Sequence, residues 1–335
     1  MTGRRHAAAR LRLATAVAVG LLAAGLPLFA RAYVVDVATL ICLYVMLGLG
    51  LNIVVGYAGL LDLGYAAFFA IGAYTTAIML VRYHQPYWLT IPVAALLTTA
   101  SGVVIGTPTL RLRSDYLAIV TLGFGEIVRL TATNLNFTGG PDGVWGVPRP
   151  AIGSWVLSSR TSIYYLGLAL AAGTLVIAYN LAHSRLGRAW LAIREDEVAA
   201  RAAGVNTVLF KLRAYMLGAL LGGIGGSFFA VKLTAVDPTS FTFVQSVNIL
   251  MVVVLGGMGS LPGVVVGAAV IVGLPEALRA FQSVRVLAFG IGLIILMLLR
   301  PQGLWPSRAG EAERETVPES PLGHRAPEPT KEAVP

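Results

Sequence analysis

Three acidic residues, Asp62, Glu126 and Glu276, fall within long apolar runs of the sequence, and Arg129 joins them. Ionisable groups in such surroundings can relay protons, contact a solute or neutralise one another, and each is a functional candidate by default. Glu126 and Arg129 stand three residues apart, so on a helix they share a face and can pair. Two readings of them stand, an internal neutralised pair or a contact to solute. Asp62 follows Gly56 and Gly59 and precedes Gly64, where a helix could begin, so it reads as an N-cap or as a transport residue. Glu276, near the end of its run, can reach the interface. These carboxylates do not form the chain that a proton relay needs, which weighs against a self-sufficient secondary transporter.

Other chemistry is missing. A phosphate-binding loop needs glycines that free backbone N–H groups and a lysine that follows them. The lysines are Lys211, Lys232 and Lys331, and none follows glycine. The histidines His6, His84, His183 and His324 are far apart, so no metal-ligand spacing exists and no metal or cofactor is expected. No G-x-S-x-G turn offers a nucleophile. The single cysteine, Cys42, lies in an apolar run and rules out an internal disulfide framework. Enzymatic activity has little to stand on.

The elements that hold these residues are membrane helices. Of 335 residues, 56% are hydrophobic and 12% charged, about half the charge of a soluble domain. A span needs about 20 mostly apolar residues. Ten such segments can be drawn, at 13–31, 36–55, 60–80, 88–109, 116–135, 163–182, 214–231, 242–256, 264–280 and 285–299. The expected fold is an all-α, polytopic helical bundle of about ten transmembrane helices. The net charge of +9 is scattered between the apolar runs, with no basic stripe interleaved with aromatics, so lipid and not nucleic acid is the expected surrounding.

With the amino terminus inside and the spans alternating, the inner side receives 17 of the 25 basic residues. They cluster at Arg4–Arg12, at Arg111 and Arg113, between Arg185 and Arg213, and from Arg300 onward. Seven fall outside, and the excess places both termini in the cytoplasm. Segment 13–31 has a second reading, a cleavable signal peptide with Ala30-Arg31-Ala32 as its site. Its apolar run exceeds the usual 7–15 residues of a signal core, and cleavage would leave nine spans of unchanged orientation. The organisation is then a cytoplasmic segment 1–12, a membrane domain 13–305 and a tail 306–335. The tail is rich in Pro, Glu and Arg and expected to be disordered. Residues 136–162, with turn formers, Trp145 and Trp155, read as a periplasmic loop.

Residues 183–213 form an unusual cytoplasmic connector. Within it, 188–203 (RAWLAIREDEVAARAA) are good helix formers, and Gly204 suits the residue that stops them. Trp190, Leu191, Ile193, Val198 and Ala202 recur at near-helical spacing, with Arg194, Glu195, Asp196 and Glu197 between them. One helix with an exposed face, docked in a partner's groove, is the expectation. A helix resting on lipid headgroups would carry a basic polar face, whereas this one has three consecutive acids at its centre.

The chain resembles branched-chain amino acid permeases of ABC importers, the hydrophobic amino-acid uptake family of LivM type. The resemblance runs from about residue 40 to 306. It is carried by GLNIVVGYAGLLDLGYAAFFAIGAY (50–74), LRLRSDYLAIVTLGFGEIVRL (110–130) and NFTGGPDGVWGVPRP (136–150). SRLGRAWLAIREDEVAARAAGVN (184–206), SFTFVQSVNILMVVVLGGMGSLPG (240–263) and RPQGLW (300–305) continue it in order. It implies a type II ABC-importer permease fold with inverted repeats, at spans 2–5 and 7–10. It implies a second related permease, two cytoplasmic ATPases, a periplasmic binding protein and residence in the inner membrane. The implied cargo is Leu, Ile or Val, with urea, short amides or other amino acids as the alternative within the family. Helix 188–204 corresponds to the family's ATPase-coupling helix, with Glu197, Ala199, Ala200 and Gly204 nearest to its E-A-A…G motif. Glu197 falls one residue early relative to Gly204, and no I-x-L-P follows.

Overall fold

The structure is a computed structural model that describes residues 22–109, 114–153 and 155–277, with isolated positions at 20, 290, 294, 298, 300 and 303–305. Of the first expected span, 13–19 and 21 fall outside them, and 22–29 are helical; segments 1–12, 285–299 (isolated positions apart) and 306–335 lie outside. Ten α-helices follow: α1 (Ala32–Leu51), α2 (Ala66–Val81), α3 (Tyr87–Thr109), α4 (Ser114–Asn134), α5 (Arg160–His183), α6 (Arg185–Glu195), α7 (Glu197–Ala202), α8 (Thr207–Leu233), α9 (Phe243–Gly256) and α10 (Leu261–Ala277). Among the described residues the chain is an all-α membrane bundle. Its β-structure is two-residue strands beyond α4 and α8, where Val144–Trp145 pairs antiparallel with Ala235–Val236.

Among the described residues five stretches are long and apolar enough to cross a membrane: Ala32–Tyr57, Tyr87–Pro108, Tyr116–Asn134, Arg160–His183 and Thr207–Leu233. α2, α9 and α10 are apolar but shorter. α8 is the centre of the bundle, packed along α1, α2 and α3. Small residues let the backbones meet there: a Cβ on Gly72 would lie 2.4 Å from the carbonyl oxygen of Gly223. Phe69, Phe229 and Phe241 stack edge to face beside that seam.

Two helices are interrupted. α1 runs on into a π-helical turn, Asn52–Tyr57, after which residues 58–65 are non-helical and α2 starts at Ala66. The third expected span, 60–80, therefore begins its helix six residues late. The irregular segment does not lie on the surface, since Leu60, Asp62 and Tyr65 are buried. Irregular backbone inside a membrane protein is tolerated where protein covers it. Here the Tyr65 hydroxyl donates to Gly218 O at 2.8 Å, and Ala66 N–H donates to Ser246 Oγ at 2.9 Å. The second interruption is the four-residue turn 257–260 between α9 and α10. α8 also differs from expectation, starting at Thr207 and not near 214. Asn206 caps it, its Oδ1 accepting from Leu209 N at 3.1 Å, so Lys211 and Arg213 belong to its first turns.

Candidate functional site

The 183–213 connector folds as two helices and not one. Ser184 opens α6, its Oγ accepting from Leu186 N at 3.1 Å. The helix ends at Glu195 because Asp196 takes an extended backbone, φ −152°, and turns its carboxylate to the next segment. Asp196 Oδ1 accepts from Val198 N at 2.8 Å and Ala199 N at 2.9 Å, satisfying two of the N–H groups that open α7. An aspartate offers its own side chain in place of helix continuation, and here that local bond wins. The expected single helix 188–203 is corrected accordingly.

Gly204 ends α7 with φ +87°. Val205 N donates to Ala200 O and Gly204 N to Arg201 O, each at 3.0 Å, the hydrogen-bond pattern of a Schellman cap. Glu197, at the start of α7, is held from two sides: Oε2 lies 2.6 Å from Lys211 Nζ and Oε1 3.2 Å from Arg201 Nη2. Partial burial alone would raise this carboxyl, but the bond and charge of Lys211, with Thr207 and Arg201, hold it below the usual range.

The apolar positions of the hairpin divide between two roles. Trp190 is fully buried and its Nε1 donates to Phe210 O at 2.7 Å; Ile193 and Ala200 are buried as well. They fasten α6 and α7 to the bundle. Facing outward are Glu195, Asp196, Val198 (77% exposed), Ala199 and Gly204, with Arg194 and Arg201 exposed beside them, a small surface of mixed charge and alkyl character. Although Arg194 is exposed, its guanidinium donates to Gly56 O at the end of the π-helical turn.

The three intramembrane candidates lie apart from this hairpin. Asp62 is 1% exposed, and its Oδ1 accepts from Gly64 N at 2.8 Å, a turn within the irregular segment. Tyr65, not Asp62, immediately precedes α2, so the surface N-cap reading is corrected. The Asp62 carboxylate also faces the hydroxyls of Thr121 and Tyr215. Glu126 and Arg129 do meet, Oε2 to Nε at 2.8 Å, with side chains 34% and 28% exposed. Glu126 also lines a small pocket with Ala66, Thr242 and Ser246, at the start of α2 and α9.

Two residues that the sequence did not single out complete the arrangement. Asn52 is fully buried and its Oδ1 accepts from Gly259 N at 2.9 Å, joining the two helix interruptions. A lone amide in the apolar run GLNIVVG was the available signal. Lys211 was counted as a topological charge, whereas it is the partner of Glu197. Among the described residues no group of His, Cys, Asp and Glu could hold a metal.

Comparison with known proteins follows the same residues. Residues 33–299 match the family model described as branched-chain amino acid transport system / permease component. The chain is 42% identical over 314 residues to the high-affinity branched-chain amino acid transport system permease protein LivM of Escherichia coli, covering 87% of this chain and 74% of that protein. It is 24% identical to the probable LivM permease of Methanocaldococcus jannaschii, covering 79% and 91%. It is 25% identical to the LivH permease of Escherichia coli, covering 78% and 90%. No solved structure shows a significant match. By the extent of the family match and the level of identity, the chain belongs to the permease components of branched-chain amino acid transport systems.

Proposed function

We propose that this chain is the membrane-spanning permease subunit of an ATP-driven importer of leucine, isoleucine and valine. The family match across residues 33–299 carries the reading, together with 42% identity to a permease named for that transport. The subunit translocates solute and does not catalyse: two separate ATPases in the cytoplasm hydrolyse ATP, and a periplasmic binding protein delivers the amino acid. Similarity to both LivM and LivH proteins supports a second, related permease as its partner.

In this reading ten spans cross the inner membrane and both termini are cytoplasmic. Inverted repeats, carried over from the family, relate spans 2–5 to 7–10. The α6–α7 hairpin seats in an ATPase through Glu195, Asp196, Val198, Ala199 and Gly204, while Arg194, Glu197 and Ala200 hold it to the bundle. ATPase closure moves the hairpin, and the helix interruptions open the pathway to one side and then the other. The Glu126–Arg129 pair, about one-third exposed, would be costly against hydrocarbon. Its face of α4 is therefore assigned to the second permease and the pathway between them, with Asp62 internal.

Reconstitution with both ATPases, the second permease and the loaded binding protein tests this. Leucine, isoleucine and valine should stimulate ATP hydrolysis and drive uptake, and urea and short amides should not. Stimulation by urea alone would overturn the substrate, and uptake by the permease without ATPases would overturn the class.

A further inference from the structure

Arg194 stands at the start of a series of contacts that crosses from the hairpin to both helix interruptions. α1 and its π-helical turn end near Tyr57, and the last carbonyls of a helix have no partner within it. Gly56 O is one of these, and Arg194 supplies its donor from an element 138 residues away. The permanent positive charge of a guanidinium also suits the negative end of a helix dipole. The alkyl stem of the same arginine lies over Gly59, whose φ of +69° turns the chain back into the bundle; a Cβ there would stand 2.9 Å from Arg194 Cγ.

The next link is Asn52, one turn before Gly56. Its Oδ1 receives Gly259 N–H, so the first interruption is bonded to the turn between α9 and α10. Gly56, Asn52 and Gly259 form one close knot. A Cβ on Gly56 would sit 2.0 Å from Asn52 Oδ1 and 2.5 Å from Gly259 N. Beyond the knot, Leu255 O and Gly256 O accept from Leu304 N and Trp305 N at 2.8 and 2.9 Å. The hairpin is thereby connected to each interrupted helix through two side chains placed in series.

We infer that Arg194 is a positioning residue for transport, which with Asn52 conveys movement of the α6–α7 hairpin to both helix interruptions. The inference rests on the proposed seating of the hairpin in an ATPase. A shift of α6 pulls the Gly56 carbonyl, and Asn52 obliges the Gly259 turn to follow. The two halves of the subunit then change together. Contacts in series have a signature that separate stabilising contacts lack: breaking one link removes most of the effect of breaking the other.

The experiment uses the full complex in proteoliposomes and reads the ratio of ATP hydrolysis with and without loaded binding protein. Arg194→Gln and Asn52→Leu should each assemble with the ATPases yet lower that ratio about tenfold, and the double variant should fall no further. Arg194→Lys, which keeps a charged donor, should recover part of the ratio. Val198→Glu, on the outward surface, tests the underlying reading separately and should lose ATPase co-purification. A ratio within twofold of wild type in Arg194→Gln, or multiplicative losses in the double variant, overturns the series. If Arg194→Gln does not assemble, Arg194→Lys with Asn52→Leu decides the same question by the same comparison. Unchanged co-purification and stimulation in Val198→Glu instead overturns the seating of the hairpin.

Discussion

Lys211 Nζ lies 2.6 Å from Glu197 Oε2 and ties the first turn of α7 to the second turn of α8. The lysine side chain is 9% exposed and the glutamate 38%, so the ammonium has the more to lose when the pair is broken. Removing one partner of a buried pair strands the other, and partial exposure of the glutamate moderates the loss to about 1–2 kcal/mol. Glu197→Gln should therefore loosen α7, read as faster hydrogen exchange of the amides of 197–205. Glu195→Lys, on an outward side chain, should leave exchange unchanged and impair ATPase stimulation alone.

The same pair gives a pH dependence. The Glu197 carboxyl is held below the usual value of about 4.5, so its contribution is fully present above that pH. It is lost as pH falls through the lowered value in the folded protein. Protection of the α7 amides should be flat from pH 7 to 5 and decline below about 4.5, and Glu197→Gln should abolish the decline. A decline between pH 7 and 6 would assign the effect to another group.

Gly204 presents a pure backbone test, because nothing lies within 4 Å of a Cβ built there. Its φ of +87° is one that glycine adopts freely and a β-branched residue does not. Gly204→Val should lower stability of the hairpin by about 1–3 kcal/mol, and Gly204→Asn by much less, in thermal melts of the purified complex.

Glu126 and Arg129 should behave as a unit. Glu126→Gln leaves an unpaired arginine on α4 and should reduce the amount of assembled subunit in the membrane. The double variant Glu126→Gln/Arg129→Gln should restore assembly, since no charge is then stranded. Restored assembly without restored uptake would place the pair in the pathway. Assembly lower in the double variant than in the single one would refute a self-neutralising pair.

Topology is open to labelling. Cysteines at Asn136 and Ser159 should react from the periplasm and those at Ser184 and Ser307 should not. α5 separates Ser159 from Ser184 by 24 residues, about 36 Å of helix and sufficient to span the hydrocarbon. Reaction of Ser184 from outside would invert the orientation.

Apolar run length located most of the described helices within a few residues, because burial in lipid or in protein demands the same composition along a whole span. The i,i+3 spacing likewise foretold the contact of Glu126 with Arg129, and the glycine at 204 foretold the end of α7. What hydropathy could not disclose was set by distant partners. The π-helical turn at 52–57 is bonded through Asn52 to Gly259, some 200 residues on, and Tyr65 and Ala66, where α2 starts, are bonded to Gly218 of α8 and Ser246 of α9. The division at Asp196 was local, but the strong helix formers around it concealed the aspartate's competing bond. Lys211 reads in the sequence as a topological charge and Arg194 as part of the partner-facing helix, while the bonds of both are internal to the subunit.

The bond from Ala66 N–H to Ser246 Oγ spans 180 residues of sequence, and that from Tyr65 to Gly218 spans 153. During synthesis, α2 therefore leaves the ribosome long before the group that satisfies its Ala66 N–H exists, although Ala67, Phe68 and Phe69 pair locally with Gly64 and Tyr65. An unpaired N–H in hydrocarbon is penalised, so the segment 58–66 has to wait in a wetter or protein-lined setting until α8 and α9 are made. Insertion of this half of the subunit is then a late event, finished from the carboxyl-terminal side, and nascent chains truncated before residue 246 should leave it exposed to protease.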